Sequence, residues 1–318
     1  MRIRFWGVRG SLPVPQLPAQ IKSKISTIME RLTTADIESA ETRERFLAGL
    51  PPWLFGTTGG NTACIAVSFD NPRQFIVFDA GSGIRELGNA LARNTPKITQ
   101  YHIFFSHFHW DHIMGLPFFT PAYDPAVSAD FYSPQGEFET ILKGQMVFPY
   151  FPVSMETMAA KQTFHSLSPG LASGITLYDA VISTKKMNHP GDSYSYLVDD
   201  GKHRFVYATD VELSSMDFIK NEENIAFFDQ ANLVVIDSQY TLGEAIEKYS
   251  WGHSAFSMAV EFAAHWRIKH LVLFHHDPGY NDQKLDNILQ FARRYAERIN
   301  NWGITLTLAT EGLELTVS

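Results

Sequence analysis

The hydrophobic positions of this chain fall into short runs of β-branched and aromatic residues that end at Gly, Asn or Asp, a pattern typical of β-strands. The predicted strands are 3–6, 62–69, 74–78, 101–105, 129–132, 175–182, 194–198, 205–208, 233–236, 271–274 and 304–308. Apolar residues at helical spacing predict helices at 84–93, 138–146, 214–228, 254–266 and 282–300. Strands in two groups, each followed by helices, indicate an α/β protein of the αββα sandwich type, with two mixed β-sheets packed face to face and helices outside.

An insertion at about 12–56 separates the first two predicted strands. It begins with three prolines and then turns helical, because apolar residues recur at helical spacing over 21–32 and again over 37–50. The segment is interpreted as a surface helical hairpin, a lid over a site or a dimer arm. No internal repeat or flexible linker is evident, so we expect a single domain over 1–318 that carries this insertion.

Composition narrows the class of protein. Hydrophobic residues make up 45% of the 318 residues and charged residues 19%, so the chain can bury a sizeable core. The net charge of -8 argues against a long nucleic acid as partner. Cys64 is the only cysteine, which excludes an intrachain disulfide and a cysteine-based zinc site. Without a signal-peptide core or an apolar run of about 18 residues, we predict a cytoplasmic protein that does not bind membranes.

Three histidines and one aspartate occur within the hexapeptide HFHWDH, shortly after the predicted strand 101–105. They are His107, His109, Asp111 and His112. Binding and catalytic residues concentrate on loops at strand ends. On an extended segment, residues two apart point the same way, so His107 and His109 are expected to share one cation while Asp111 and His112 turn toward a second.

The hexapeptide matches the His-x-His-x-Asp-His signature of the metallo-β-lactamase superfamily at every position, and the chain resembles this family in further motifs. His189 in NHPGD, Asp210 in FVYATD and His275 in LVLFHHDP stand where the family has its remaining ligands. Asp79 in FDAGSG resembles the buried aspartate that supports the metal-binding loop. The resemblance implies the metallo-β-lactamase fold and two metal sites. Their ligands would be His107, His109 and His189 on one side and Asp111, His112 and His275 on the other, with Asp210 between them.

Within the superfamily, the GHSAF motif followed by KHLVLFHH resembles the branch of ribonuclease Z and small-molecule phosphodiesterases. The resemblance implies that His253 faces the scissile phosphate and pairs with an upstream carboxylate. Asp237 in VVIDSQYT stands where that branch has a glutamate. The TGGNT sequence at 58–62 resembles bacterial cyclic-nucleotide-type phosphodiesterases and makes Asn61 a candidate substrate contact.

The same residues have a physical interpretation. Histidine and carboxylate ligands suit two divalent transition-metal ions, with zinc as the first expectation and manganese or iron as alternatives. Such a pair lowers the pKa of a shared water until a hydroxide nucleophile exists near neutral pH. The expected catalytic residues are Asp111, His253 and Asp237, where His253, oriented by Asp237, protonates the leaving alkoxide. Asp79 would fix the orientation of a ligand histidine.

Several other residues have weaker assignments. His276 directly follows His275, and we expect a role behind the ligands or at the substrate. Phe148 and Tyr150 in VFPYFPV are interpreted as an aromatic wall that stacks a base, as packed core or as part of an interface. Cys64 is expected to be an inert core thiol. The remaining histidines, His102, His165, His203, His265 and His270, are expected at the surface or in satisfied core positions.

These observations predict a dinuclear metal-dependent hydrolase, specifically a phosphodiesterase that attacks a small nucleotide-like or cyclic-nucleotide diester with a metal-bridged hydroxide. Its expected partner is that small substrate, with a homodimer as an alternative use of the insertion. Lactonase or β-lactamase activity on an ester or amide stays open, as does a ribonuclease Z-like RNA endonuclease. A single-metal iron dioxygenase, a flavin-dependent electron-transfer relative and a non-catalytic binding role are the remaining alternatives.

Overall fold

A computed structural model describes residues 1–71, 73–93, 98–299 and 303–318. The strands are β1 (Arg2–Gly7), β2 (Cys64–Ser68), β3 (Phe75–Phe78), β4 (Gln100–Phe104), β5 (Ser128–Ser133), β6 (Lys161–Ser166), β7 (Gly170–Leu177), β8 (Ala180–Met187), β9 (Ser193–Asp199), β10 (Arg204–Ala208), β11 (Leu233–Asp237), β12 (His270–Phe274), β13 (Thr305–Leu308) and β14 (Glu314–Thr316). The α-helices are α1 (Pro18–Arg31), α2 (Ala40–Ala48), α3 (Pro52–Phe55), α4 (Gly83–Leu91), α5 (Trp110–Ile113), α6 (Phe138–Gly144), α7 (Glu222–Phe228), α8 (Leu242–Glu247), α9 (Phe256–His265) and α10 (Asp282–Ile299).

The strands form two seven-stranded sheets, in the orders β14-β1-β2-β3-β4-β5-β6 and β13-β12-β11-β10-β9-β8-β7. Each sheet is mixed: β3 to β6 are parallel in the first and β10 to β13 are parallel in the second. Because β9 is antiparallel to both β8 and β10, β8 runs in the same direction as β10. The carboxyl ends of parallel neighbours lie at one edge of a sheet, which is where such proteins build their sites.

Three apolar layers hold the two sheets and the helices together. The central layer packs residues of both sheets, including Phe78, Phe104, Tyr207 and Phe274, against one another. A second layer fills the space between the β10–β13 sheet and helices α7, α9 and α10. A third lies between the other sheet and α4, with the segments that follow β4 and β5. The predicted αββα sandwich is therefore confirmed.

The predicted insertion lies between β1 and β2 and contains α1, a 3₁₀ turn (Thr34–Ile37), α2 and α3. Neither α1 nor α2 has a buried residue, and Ile21 and Ile25 of α1 are about half exposed. Polar contacts with Asp282 fasten the insertion to the main body. The ammonium group of Lys24 binds the buried carboxylate of Asp282, which also accepts the Thr58 backbone N–H.

Several predicted elements differ from the structure. The predicted strand 175–182 is a hairpin in which β7 ends at Leu177 and β8 begins at Ala180, because Tyr178 adopts φ +56° and turns the chain. The predicted helix 214–228 consists of a 3₁₀ turn (Ser215–Phe218) and α7, which starts afresh at the capping residue Asn221. The second insertion helix is shorter than 37–50, since Ser39 caps it at Ala40.

Two edge strands were missed in the sequence. Strand β6 (Lys161–Ser166) lies beside β5, and β14 (Glu314–Thr316) lies beside β1. Neither shows an apolar face strong enough to mark it. Strand β6 has four partly buried residues between two exposed ones, β14 has one between two, and neither has a fully buried residue. The last residue of the predicted helix 282–300 lies outside the described residues. Among the residues described, no helix has the length and apolar character needed to cross a membrane.

Candidate metal centre

The polar residues of the candidate site follow strands whose carboxyl ends face the same edge of the sandwich. In the first sheet, Asp79 follows β3 and the HFHWDH loop follows β4. In the second sheet, Asp210 follows β10, Asp237 ends β11 and His275 directly follows β12. His189 lies two residues after β8. Because the two sheets face each other, these loops converge although they are far apart in sequence.

One group of ligand atoms is formed by His107, His109, His189 and Asp210, all within 4.8 Å of one another. The Nδ1 atom of His109 lies 3.2 Å from Nε2 of His189. Asp210 presents its Oδ2 atom to this group, 3.5 Å from Nε2 of His107 and 3.8 Å from Nε2 of His189. These are the residues predicted for the first metal site.

A second group is formed by Asp111, His112, His275 and the same Asp210. The Nε2 atoms of His112 and His275 are 3.2 Å apart, and each lies 3.2 Å from Oδ1 of Asp210. Oδ2 of Asp111 is 3.1 Å from Nε2 of His275. The two oxygens of Asp210 therefore face different groups, which is the geometry of a carboxylate that bridges two ions.

The donor geometry fits divalent cations better than a network of hydrogen bonds. Ligand atoms that lie about 2.0–2.1 Å from one ion at tetrahedral angles are themselves about 3.3–3.5 Å apart, close to the separations in both groups. Nε2 of His107 is buried and has no hydrogen-bond partner among the described residues. A neutral histidine nitrogen held in this way without a partner costs free energy, which a bound cation would recover.

The second ring nitrogen of four histidines contacts a polar group outside the cluster, which fixes the direction of each ring. Nδ1 of His107 lies 3.1 Å from the Ser106 hydroxyl, and Nδ1 of His112 lies 2.9 Å from Asp79. These contacts direct both Nε2 atoms toward the centre.

On the opposite sheet, two further contacts orient ligand rings. Nδ1 of His189 lies 2.8 Å from the Gly252 carbonyl, and Nδ1 of His275 lies 3.2 Å from Oε1 of Gln239. Neither the Gly252 carbonyl nor the Gln239 side chain was predicted from the sequence. Gln239 carried a weak signal, because it lies two residues after Asp237 at the end of β11, whereas a backbone carbonyl such as that of Gly252 carries none.

Asp79 is fully buried and joins the two sheets beneath the HFHWDH loop. Its carboxylate accepts hydrogen bonds from the Ser106 backbone N–H and hydroxyl, from His112 and from the Tyr207 hydroxyl, at 2.7–2.9 Å. Its φ of +60° lies in the left-handed region, which an aspartate tolerates better than most residues. The structure thus places Asp79 in the supporting position that the sequence predicts.

The amino-terminal loop after β1 closes one side of the second group. The backbone N–H of Ser11 donates to Oδ2 of Asp111 at 2.7 Å. Gly10 packs so closely against His275 that a Cβ atom would lie 2.5 Å from the imidazole ring. Glycine is therefore required here by the close approach of the backbone to a ligand, and the sequence alone did not show this contact.

Burial and neighbouring charges set the protonation of the ligands. Burial, followed by the nearby His112, holds the pKa of His107 well below its ordinary value, so this ring is a neutral base. Burial alone would raise the pKa of Asp210, but the charges of His112 and His275 hold it well below the ordinary value. A neutral imidazole and an ionised carboxylate are the forms that bind metal ions.

His253 and Asp237 form a separate pair at the margin of the two groups. Nδ1 of His253 lies 2.6 Å from Oδ2 of Asp237. The His253 ring stands 5.2 Å from the ring of His189 and 5.1 Å from that of His275, so it contacts one ligand of each group. Burial lowers the pKa of His253, but the charge and hydrogen bond of Asp237 outweigh it and raise the pKa to about 9.

The weaker candidates lie in different surroundings. The side chain of Asn61 donates to Glu311 and accepts from Ser82, so both ends of the amide have partners within the protein. Nε2 of His276 binds the Ala309 carbonyl, so this nitrogen points to the segment after β13. The aromatic wall of Phe148 and Tyr150 stays a prediction, and both side chains are more than four-fifths exposed, which does not fit packed core.

The other histidines and the cysteine lie outside the two groups. The Cys64 thiol is buried, and burial, followed by the nearby Asp79, raises its pKa well above the ordinary value, so it stays protonated. The three histidines His102, His165 and His270 contact Tyr132, Asp130 and Thr307 respectively. His203 contacts Asp200, and His265 packs edge-on against Trp266.

Residues 74–276 match the family described as the β-lactamase superfamily domain, and this match spans more than half of the chain. The chain belongs to the metallo-β-lactamase superfamily. This confirms the resemblance found in the sequence, and the matched region contains all seven predicted ligands. Three groups of described residues could hold metal ions: the two that share Asp210, and a third formed by Asp237, His253 and His275. As a metallo-β-lactamase superfamily protein with such groups, the chain is a metal-dependent hydrolase.

Individual proteins of known sequence or structure agree with this membership. Ribonuclease Z of Crocosphaera subtropica is 22% identical over 306 residues, which cover 76% of this chain and 91% of that protein. The crystal structure of human tRNase Z, short form, matches 100% of both chains with a TM-score of 0.63 and 16% identity. A diphosphatase from the PhnP family matches 100% of this chain and 98% of its own, with a TM-score of 0.63 and 18% identity. At such identities the two structural matches establish the fold.

Proposed function

We propose that this superfamily member is a phosphodiesterase that uses two divalent transition-metal ions, zinc first among them, to hydrolyse small nucleotide-like phosphodiesters. The observation that carries the proposal is the Asp237–His253 pair beside both ligand groups. A phosphodiester with an alkoxide leaving group needs a proton donor at the departing oxygen. A lactam or lactone hydrolase of this fold needs no such pair, since its carbonyl chemistry can proceed at the metals.

Each residue group has a distinct role in this proposal. Two bound cations would polarise the phosphoryl oxygens and lower the pKa of a water molecule positioned for in-line attack. Asp210 sets the spacing of the two sites, because its two oxygens face different groups. His253 holds its Nδ1–H toward Asp237, so Nε2 is the nitrogen that carries a proton toward the leaving oxygen. The charge and hydrogen bond of Asp237 raise the pKa of His253, which favours the protonated ring at neutral pH.

We expect the purified protein to bind two metal ions per chain. Elemental analysis should give about two equivalents, and Asp210→Ala should lower the affinity of both sites because it removes the carboxylate that supplies one oxygen to each site. Gln239→Ala should weaken only the site that contains His275, by about 10–100-fold. A single ion in the wild type, or equal loss of both ions in Gln239→Ala, would contradict the bridging arrangement.

Ribonuclease Z-like cleavage of RNA is the second candidate, favoured by the sequence match to a ribonuclease Z over most of both chains. The negative net charge of the chain favours a small diester over RNA as the substrate. The chain carries a formal net charge of -8, and its insertion at 12–56 has five basic residues balanced by five acidic ones. A binding surface for transfer RNA would need an excess of Lys and Arg to neutralise phosphates.

We therefore predict that small diesters are cleaved and precursor transfer RNA is not. The test is a hydrolysis panel of cyclic mononucleotides, dinucleoside monophosphates, bis-nitrophenyl phosphate, precursor transfer RNA, lactones and a cephalosporin. Processing of precursor transfer RNA at the rate of the best small diester would favour the ribonuclease interpretation. Turnover of only lactones or the cephalosporin would overturn the phosphodiesterase proposal.

A further inference from the structure

The segment between β11 and α9 places an exposed tryptophan at the margin of the metal centre. Gly252 has φ +89° and accepts the Nδ1–H of His189 on its carbonyl at 2.8 Å. A Cβ atom at Gly252 would lie 2.2 Å from Nδ1 of His189, so the backbone here is pressed against a predicted ligand. Trp251 is the preceding residue, with its Cα about 3.8 Å away. Its side chain is nevertheless 61% exposed.

A lysine and a second aromatic ring connect Trp251 to His253. The ammonium nitrogen of Lys248 lies 5.9 Å from the Trp251 ring and 4.3 Å from the Tyr240 ring. The Tyr240 ring stands edge-on to His253 at 5.7 Å and is almost fully buried. Oδ2 of Asp277 lies 3.4 Å from the same ammonium group. A row of neighbouring side chains therefore runs along this side of the metal centre, in the order His253, Tyr240, Lys248 and Trp251.

The position of the surface formed by Trp251, Lys248 and Tyr240 determines which part of a bound substrate it would contact. If His253 protonates the leaving oxygen, the group attached to that oxygen lies on the His253 side. An exposed indole offers a face on which any nucleobase can stack. An ammonium group carries three N–H donors, and one directed to Asp277 leaves others for the ring nitrogens or carbonyl oxygens of a base. A leaving group without a planar ring could not stack on the indole.

We propose that Trp251 and Lys248, backed by Tyr240, form a subsite for the nucleobase of the leaving nucleoside. This inference rests on the proposed phosphodiesterase function and assigns its substrate class as diesters whose leaving group is a nucleoside. Single exposed aromatic residues are common on protein surfaces and carry no meaning alone. Trp251 differs because its neighbour Gly252 is locked to His189 and because a cation lies between its ring and the ring beside His253.

The decisive experiment compares two dinucleoside monophosphates that differ only in the leaving nucleoside. One carries a base there, and the other carries an abasic deoxyribose, so the leaving alkoxide is the same in both. The wild type should cleave the base-bearing diester about 5–150-fold faster in kcat/KM, the range given by stacking one base. Trp251→Ala should bring this ratio close to one, and Lys248→Met should lower it to an intermediate value.

Two controls separate recognition from a structural role. Tyr249, which is 77% exposed and lies two residues before Trp251, should keep the wild-type ratio when replaced by alanine. Trp251→Phe retains a smaller ring and should restore part of the preference. If Trp251→Ala slows both diesters equally, or loses metal, Trp251 only supports Gly252 and His189, and the subsite assignment is wrong.

The wild type alone also tests the proposal. A ratio near one between its kcat/KM values for the base-bearing and the abasic diester overturns the subsite assignment. If the wild type cleaves neither diester, the phosphodiesterase proposal fails, and the subsite is tested separately by binding. Adenosine 5′-monophosphate should then quench tryptophan fluorescence in the wild type and quench it less in Trp251→Phe. Equal quenching in both proteins would show that no base stacks on Trp251.

Discussion

Replacing His253 by alanine should lower kcat/KM about 10²–10⁴-fold for diesters with alkoxide leaving groups, which is the usual contribution of a general acid. For a nitrophenyl diester the loss should be small, because nitrophenolate departs without a proton. The metal content of the two groups that share Asp210 should be unchanged, since His253 binds Asp237 and belongs to neither group. Steady-state rates on both substrates, with elemental analysis of the variant, check this result.

Two further variants sharpen the test of His253. Asp237→Asn keeps an oxygen that can accept the Nδ1–H but removes the negative charge, so the same leaving-group pattern should appear in a milder form. His203→Ala is a matched control, because this histidine also contacts an aspartate, Asp200, but lies outside the two ligand groups. An equal loss of rate on both substrates in His253→Ala would show that His253 does not protonate the leaving group.

Replacing Asp79 by alanine should lower the free energy of unfolding of the metal-free protein by about 3–5 kcal/mol, the usual cost of removing one partner from a buried charged contact. The physical reason is that four hydrogen-bond donors from Ser106, His112 and Tyr207 lose their shared acceptor inside the sandwich. The metal site that contains His112 should also weaken, by about 10–100-fold. Urea denaturation and competition with a chelator measure the two effects.

Tyr207→Phe is the matched control for Asp79→Ala, because it removes only one of the four donors. Its cost should be about 1 kcal/mol, with little change in metal affinity. Asp79→Asn preserves shape and tolerates φ +60°, so it separates loss of charge from backbone strain if the alanine variant does not fold. A change in unfolding free energy below about 1 kcal/mol in Asp79→Ala would contradict the supporting role.

The sequence by itself indicated the candidate ligands, because the HFHWDH motif concentrates four of them within six residues. Asp210 and His275 each follow a short apolar strand, which is a strong local signal, whereas His189 precedes one. The resemblance to the metallo-β-lactamase superfamily marked all three as candidate ligands, and the apolar strands predicted the sandwich. Weakly apolar edge strands such as β6 gave no such signal, because their burial depends on neighbours that only the fold supplies.

Apart from Asp79, which the sequence resemblance indicated, the tertiary structure alone decided which groups orient the candidate ligands. The Gly252 carbonyl and the Ser11 backbone N–H carry no side-chain signature, so no pattern in the sequence could assign them to His189 and Asp111. Tyr207 became a partner of Asp79 only when the two sheets packed face to face, and Gln239 became a partner of His275 when β11 and β12 paired within one sheet. Local sequence encodes which residues can bind a cation, whereas the direction of each ring depends on hydrogen bonds between segments that are distant in the chain.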